Sequence, residues 1–580
     1  MKNIQPHLWC RRILESLPAI TLLALSCGAY LTLFQKEALQ EIFYADWTYY
    51  ITTLLVFLWG RAILKVWLAR GLNIRAVVEE NWPGIMLSLA LCCLVLITIE
   101  PKARIMDDEA KLVSQSQAMF FMKKAVTLYS AEFERGHITS YTTTPAIRPP
   151  LFPYMLHLVH IVSGFRFENA FALNSIALFS LLVSVFVLVK KEAGLFFALA
   201  ALPLVVCQPV VSIYAMTACY DMLFAAFAIV SFLSLRYYMN CRTPAAFELL
   251  WANLLMVSYI RRESFIYAML TIIVLLVLGC VRAGYLRSST IYPLSPLIVL
   301  PLIWQKVFVK AAYSTVPEAQ IAENFSLGYF FENNKAFLAD MFDFSLYLPY
   351  ANIVNALGVL AALWLGIVFC VRFKEISRER KIVTAIAAIV YLSHWAIISS
   401  FSLVGPKKDT TLRYHILTCV ILSVMVVLFF SGFRSQRAKT MFALFVFAAF
   451  VTYHPVAMKD SIHKDKEGWI RNYNIMMDFL RTKKDRDFLL IADAPRRYVI
   501  HGISSINFNT ANRKAKQILA DYENHKYKNI YVGQEVYLNT KHPREKYRLN
   551  DDYKLQSLFK RQADARVLVN ISKAVSGRDT

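Results

Sequence analysis

Charge is scarce in this sequence. Asp, Glu, Lys and Arg make up 18% of its 580 residues, against roughly a quarter in an ordinary soluble domain, while 57% are hydrophobic and the mean hydropathy is +0.44. A core surrounded by water cannot absorb that much apolar sequence, so a purely soluble fold is excluded. Cysteine is no substitute. There are ten, none after Ser461, and Cys27, Cys92, Cys93, Cys280, Cys370 and Cys419 lie in or beside apolar runs. With no CxxC pair, neither a disulfide framework nor a thiolate metal site is expected. A GxxxxGK[ST] loop, an internal repeat and a low-complexity linker are absent too, which removes P-loop nucleotide hydrolysis and repeat architectures. The formal charge of +23 does not point to nucleic acid, because the cations sit in short clusters between apolar runs and act there as topology signals.

What the sequence has is long apolar runs. Ile13 to Phe34, Pro83 to Ile99 and Leu412 to Phe430 approach or exceed the ~18 residues that span a bilayer. The first run follows Arg11 and Arg12 and reads as an uncleaved anchor, since no cleavable signal peptide is evident. Cations beside short loops tend to stay cytoplasmic, which puts the N-terminus inside. Apolar segments near 13–35, 47–69 and 83–100 then cross in turn, with the basic turn Arg70 to Arg75 inside. Further segments follow near 169–189, 193–213, 221–239, 246–260, 264–281, 291–311, 350–371, 382–402, 412–431 and 440–458. Every second turn is basic: Lys190 and Lys191, Arg236 and Arg242, Arg282 and Arg287, Arg372 to Lys381, Arg434 to Lys439. About thirteen crossings result by the span-length and charge rules, and an odd number leaves the C-terminus outside.

Two stretches interrupt the alternation. In the external loop 101–166, Met119, Met122, Val126, Tyr129 and Phe133 recur at three and four residues, which predicts an amphipathic helix on the membrane surface. Leu151 to Val162, between Pro150 and Gly164, is too short to cross and reads as interfacial or re-entrant. Residues 459–580 have short strand-like runs, Phe488 to Ala492, Asn529 to Val532 and Arg566 to Ile571, around a helical pattern at Asn512 to Tyr522. The expected fold is a polytopic α-helical membrane protein with external interfacial helices and a small C-terminal α/β domain. Its parts are N-terminal transmembrane helices over 1–82, a catalytic membrane domain over 83–458 and an extracytoplasmic domain over 459–580.

With the turns assigned, the unusual polar residues fall outside: Asp107, Asp108, Glu109, Arg148, Asp221, Arg261, Arg262, Glu263, Lys407, Lys408, Asp409 and Arg413. Acids and arginines at one membrane face suit chemistry on a lipid headgroup, whose reacting bond lies at that depth. Transfer of a sugar from a polyprenyl phosphate needs a base to take the acceptor's proton and cations to stabilise the departing phosphate. Arginine holds phosphate bidentately, and a nearby carboxylate supplies the base.

Asp108-Glu109 after an outward helix, Arg148-Pro149-Pro150-Leu151 with an apolar stretch ending at Gly164, Ala218-Cys219-Tyr220-Asp221 opening a helix that ends Leu235-Arg236, and Arg413-Tyr414 opening a late helix occur in that order. The succession resembles the C-type glycosyltransferases, within them the protein O-mannosyltransferase and lipid A aminoarabinose transferase branch, over roughly residues 83–460. The resemblance implies an inverting, single-displacement transferase that takes a sugar from a polyprenyl phosphate to a lipid, glycan or protein acceptor. It implies Asp108 as base, with adjacent Asp107 as the alternative, and Asp221 as a second site acid. It implies Arg413 on the donor phosphate, with Arg261, Arg262, Arg148 and Lys407 as further donor-side cations. The expected location is the bacterial inner membrane, with the C-terminal domain periplasmic. The chain departs from the family in having about three helices before the acidic loop by the span count, where one is usual, and arginine at 261, where lysine is more frequent.

Other readings compete. Asp107, Asp108 and Asp221 also suit helix N-caps, and Arg261, Arg262 and Arg413 also suit anchors at the interface. His157 and His160 are three apart but have no third ligand, and His463, His501 and His525 lack metal-site spacing, so no metal is assigned. The main rival function is a secondary transporter or lipid flippase, which requires polar groups near the bilayer midplane.

Overall fold

The computed structural model describes residues 43–71, 73–104, 106–134, 137–146, 148–281, 283–301, 326–342, 351–401, 413–433, 435–463, 468–483, 487–538, 547–563 and 567–575. The chain forms two compact units. One comprises 1–102, 147–152 and 171–461, the other 103–146, 153–170 and 462–580.

The first unit is helical. Among the described residues eight helices are long and apolar enough to cross a membrane: Ala45–Arg70, Ile74–Thr98, Asn169–Ala193, Asp221–Cys241, Asn352–Val371, Arg378–Ser399, Arg413–Ser431 and Gln436–Lys459. A ninth is broken, Leu195–Val206 followed by Pro209–Ala215 at 72°. These spans lie where the apolar runs predict them. The expectation of about thirteen is met only in part. Pro244–Ser258 and Phe265–Val277 are helices of 15 and 13 residues, short for a crossing; the run 13–35 and the stretch 302–311 of the run 291–311 lie outside the described residues, and Tyr292–Val299 is a 3-10 helix.

Helices in a bilayer gain little from hydrophobic association and pack through small residues and interhelical hydrogen bonds. Both occur here. A Cβ on Gly358 would stand 2.7 Å from Cβ of Leu422, so glycine permits the close approach of Asn352–Val371 to Arg413–Ser431. At the broken span the Gln208 amide donates to Asn355 Oδ1 (2.8 Å) and Ser423 Oγ (3.2 Å) and accepts from the Ala351 backbone N–H (3.1 Å). Polar groups around the break thus find partners inside the protein, as a lipid setting requires.

Cations from different turns gather at one end of this unit. Lys190 pairs with Glu80 (3.1 Å), while Arg236 and Arg380 both meet Glu192 (2.5 Å each). Asp221 opens a 21-residue helix that Arg242 follows, so the two residues stand about 30 Å apart along the axis. The basic turns and the acidic motif residue therefore occupy opposite ends of one helix, as the charge pattern predicts.

The second unit is an α/β layer around a seven-stranded sheet in the order β2-β1-β4-β3-β5-β7-β6. The strands are β1 (Val126–Glu134), β2 (His137–Pro145), β3 (Phe488–Ile491), β4 (Ser505–Ile506), β5 (Asn529–Tyr537), β6 (Lys554–Gln562) and β7 (Val567–Val575). β3 runs parallel to β4 and β5, and the remaining pairs are antiparallel. Ile475, Met476 and Leu480 of the Gly468–Arg481 helix pack with Phe488 and Leu490 of β3. Ala515 and Ile518 of the Ala515–Glu523 helix pack with Leu489 and Ile491 of the same strand. Strand alternation sends these to opposite faces.

One expectation is corrected. The stripe from Met119 to Phe133 is not a single surface helix: Met106–Met122 is helical, but Val126, Tyr129 and Phe133 lie on β1. The strand wins because Leu128 and Ala131 pack with Ala118 and Val499 and its edges pair with β2 and β4.

Candidate functional site

In the helical unit three chain breaks converge on one buried charge cluster. The first is the loop 216–220. Asn174, fully buried in the Asn169–Ala193 span, donates to the carbonyls of Thr217 and Cys219, both at 2.7 Å. The Thr217 hydroxyl donates to Tyr214 O (2.9 Å). So pinned, the loop delivers Asp221 as the first residue of its helix. The cap position is Tyr220, which makes no side-chain cap bond, so the capping alternative does not describe Asp221.

The second break separates Pro244–Ser258 from Phe265–Val277. Ser264 Oγ accepts from the Arg261 N–H (3.0 Å) and donates to its carbonyl (2.6 Å), which fixes the Arg261 backbone in a tight turn. The Leu151 N–H donates to Tyr259 O (3.1 Å). That bond brings Arg148, half-buried three residues earlier, beside the same turn, and Tyr220 lies within electrostatic reach of Arg148 and Arg413. The third break is the turn opening Arg413–Ser431.

Arg261 is 1% exposed. Its Nη1 stands 3.3 Å from Asp221 Oδ1 and its Nη2 2.6 Å from Glu263 Oε1. The guanidinium is walled by three rings, 4.6 Å from the Tyr414 centroid, 5.2 Å from Phe224 and 5.7 Å from Tyr220. Arg413, 5% exposed, reaches Asp221 Oδ2 at 3.9 Å and Cys219 Sγ at 3.1 Å and lies 5.2 Å over Tyr414. A buried charge is costly unless paired. This cluster pairs its cations with acids and with the negative faces of aromatic rings. For Glu263, burial pushes the carboxyl pKa up, but the adjacent Arg261 guanidinium outweighs it and holds the group below the ordinary glutamate range.

Asp221, Arg261 and Arg413 therefore meet, with Arg148 and half-buried Arg262 nearby. Lys407 lies outside the described residues. Asp107 and Asp108 belong to the second unit, in the first turn of the Met106–Met122 helix. Asp107 is exposed and accepts from Arg497 Nη2 at 2.8 Å, whereas Asp108 is 8% exposed. Glu109, fully buried, accepts from the Arg104 N–H at 2.7 Å. Among the described residues no group of three or more His, Cys, Asp or Glu side chains could hold a metal ion.

Sequence reasoning named Glu263 among the outer polar residues and Tyr220 and Tyr414 within motifs, but assigned none of them a role; adjacency at a chain break was the available signal. It also did not foresee Asn174, whose two loop contacts span more than forty residues of chain.

No family model matches this chain, and no curated protein matches it. Its fold is similar to that of ArnT from Cupriavidus metallidurans bound to undecaprenyl phosphate, at 10% identity and a TM-score of 0.52, over 85% of this chain and 98% of that one. The apo form of the same protein aligns at 10% identity and a TM-score of 0.47, over 85% and 98% of the two chains. An oligosaccharyltransferase from Archaeoglobus fulgidus, in complex with Zn and sulfate, aligns at 11% identity and a TM-score of 0.43, over 77% and 67%. The first likeness concerns the fold alone, and the other two are too distant to bear on it.

Proposed function

We propose that this chain is an inverting glycosyltransferase that takes a sugar from a polyprenyl phosphate and transfers it, at the outer face of the membrane, to a lipid, glycan or protein acceptor. The observation that carries the proposal is the buried cluster around Asp221. Arg148, Arg261, Arg262 and Arg413 gather around the carboxylates of Asp221 and Glu263 at one end of a membrane bundle. An anionic phosphate complements such a field, and arginine's planar fork suits its oxygens. ArnT, whose fold is similar, has been crystallised with undecaprenyl phosphate, which makes the same class of donor the first to test here.

In the proposed mechanism Arg261, engaged by two acids and three rings, positions the cluster, and Arg413 contacts the donor phosphate and stabilises its charge as the bond to the anomeric carbon breaks. Asp108 is the proposed base, as the family resemblance implies, and Asp107, which is exposed and accepts from Arg497, is the alternative. The acceptor oxygen loses its proton to that carboxylate as it attacks, the configuration inverts, and polyprenyl phosphate departs. The gathering of turn cations at the other end of the bundle supports a cytoplasmic assignment for that end and a periplasmic one for the C-terminal unit, in the inner membrane of a bacterium.

The test is mass spectrometry of envelope lipids, polysaccharides and proteins from cells with and without the gene, repeated with Arg413→Ala. A sugar increment lost with the gene and not restored by Arg413→Ala is expected, and identical profiles with and without the gene would reject transferase activity. One feature favours the rival transporter: a span broken by 72° with a buried glutamine at the break. Sugar-lipid flux in proteoliposomes without any transfer product would establish that reading instead.

A further inference from the structure

At the basic end of the helical unit lies a cavity of about 340 Å³ between the Ala45–Arg70, Asp221–Cys241 and Pro244–Ser258 helices, lined by Lys65, Ala69, Arg70, Tyr237, Thr243 and Pro244 among others. Four features make it suited to an anion. Arg70 lies 4.3 Å over the Tyr237 ring and donates to Cys241 Sγ (2.9 Å), and among the described residues no carboxylate lies within ion-pair distance of it. Lys65 (3.0 Å) and Arg61 (3.7 Å) share the single carboxylate of Glu248. Lys191 is within electrostatic reach of Arg70 and Arg236, and of Glu80. Finally, the Pro244–Ser258 helix begins at the cavity wall, with Thr243 as its cap accepting from the Ala246 N–H (3.2 Å). The positive end of a fifteen-residue helix thus adds to the side-chain charge.

The same surface is apolar beside these charges. Ala69, Pro244 and Ala245 line the cavity. On the Ala45–Arg70 span Leu68, Leu64 and Phe57 are 69%, 55% and 68% exposed, a stripe leading from the cavity mouth into the bilayer. A free phosphate would find the cations but leave that stripe unused. A phospholipid fits both.

We infer that this cavity is a binding site for an anionic phospholipid, its phosphate held by Arg70 and Lys65 at the start of the Pro244–Ser258 helix and its acyl chains along Leu68, Leu64 and Phe57. The site is about a helix length from the Asp221 cluster, since Tyr237 and Cys241 close the helix that Asp221 opens. Its occupant is therefore distinct from the proposed sugar donor.

The test is native mass spectrometry of the detergent-purified full chain with phosphatidylglycerol or phosphatidylcholine of matched acyl chains, and with glycerol 1-phosphate as competitor. The wild type is expected to hold phosphatidylglycerol about tenfold more tightly than phosphatidylcholine, and Arg70→Gln to remove that preference, the loss expected of one cation at a lipid headgroup. Ala69→Trp, which fills the cavity without touching its charge, is expected to weaken phosphatidylglycerol binding by a similar factor. Unchanged preference in both variants would overturn the site. Displacement of the lipid by equimolar glycerol 1-phosphate would overturn the lipid assignment in favour of a soluble phosphate.

Discussion

Arg261 and Arg413 reach the same carboxylate from different breaks in the chain, yet they are held differently. Arg261 has two acids within 3.3 Å and three rings around it, whereas Arg413 meets Asp221 at 3.9 Å. Removing one partner of a buried ion pair leaves an uncompensated charge and costs about 3–5 kcal/mol. Arg261→Ala is therefore expected to lower stability by about 3 kcal/mol or more, seen as a lower Tm of the full chain in detergent. An unchanged Tm would show that Asp221 and Glu263 do not depend on it. For Arg413→Ala the expected change is kinetic, a donor KM raised about tenfold or more, the order associated with losing a charge-assisted contact.

The acidic pair makes a separate residue-scale prediction. Asp108→Asn keeps shape and size but cannot accept a proton, so sugar transfer should fall by roughly a hundredfold or more, the order of a lost general base. Asp107→Asn should remove only the contact with Arg497 and leave turnover within about twofold, as surface ion pairs contribute little. Wild-type turnover in Asp108→Asn, measured with the protein folded and inserted, would reject the base assignment. The opposite ranking would move the role to Asp107.

At the scale of elements, the loop 216–220 depends on one side chain. Asn174 holds two carbonyls of that loop. Asn174→Ala should cost about 1–3 kcal/mol, the penalty for buried polar groups left unsatisfied, and should raise the donor KM by displacing Cys219 and Asp221. A variant with normal stability and normal donor kinetics would show that the loop is held by other means.

The Leu151–Ser163 helix carries a pH prediction. Burial pushes the His157 and His160 pKa values down to about 4, with Lys123 adding to the effect at His157 and His157 adding at His160. In the unfolded chain both titrate near 6.5. Above that pH neither state binds the proton and there is no effect. As pH falls from 6.5 towards 4 the unfolded state takes up protons the folded state refuses, so stability declines, and the slope ends once the folded imidazoles protonate. Hydrogen exchange in the sheet unit at pH 7.5 and 5 should show this loss, and the His157→Leu, His160→Leu double variant should reduce it. An identical pH response in both proteins would rule the histidines out.

Elements also show what the sequence discloses and what it conceals. The spans were legible because twenty apolar residues between charges have few alternatives in water or lipid, and β3, β5 and β7 because short β-branched and aromatic runs stand out in a polar context. The stripe Val126, Tyr129, Phe133 misled because its spacing satisfies a helix, while the deciding fact is distant: Ser505 of β4 pairs with Ala131. The threonine-rich run from Thr139 to Thr144 was the local hint of a strand partner. Likewise the order of motifs announced Asp221 and Arg413, and the outer-face charge pattern Arg261, but no local pattern discloses that Tyr220, Phe224 and Tyr414 wall the same guanidinium, because ring contacts between separate breaks leave no periodic trace.

For the whole molecule, charge decides orientation. Lys190, Arg236, Arg380 and Arg70 come from different turns, yet shared contacts with Glu80, Glu192 and Tyr237 place them at one end of the bundle. Such clustering opposes translocation of that end across a membrane whose inside is negative. Cys370 is exposed in the last turn of the Asn352–Val371 span, two residues before Arg372, so it belongs to the basic end. Lys516 is exposed on the Ala515–Glu523 helix of the sheet unit. In intact spheroplasts a membrane-impermeant maleimide should therefore label Lys516→Cys and spare Cys370, each as the sole cysteine of its variant, and both should react after permeabilisation. Labelling of Cys370 from outside, with Lys516→Cys protected, would invert the topology and place the Asp221 cluster on the cytoplasmic side, where a periplasmic acceptor would be out of reach.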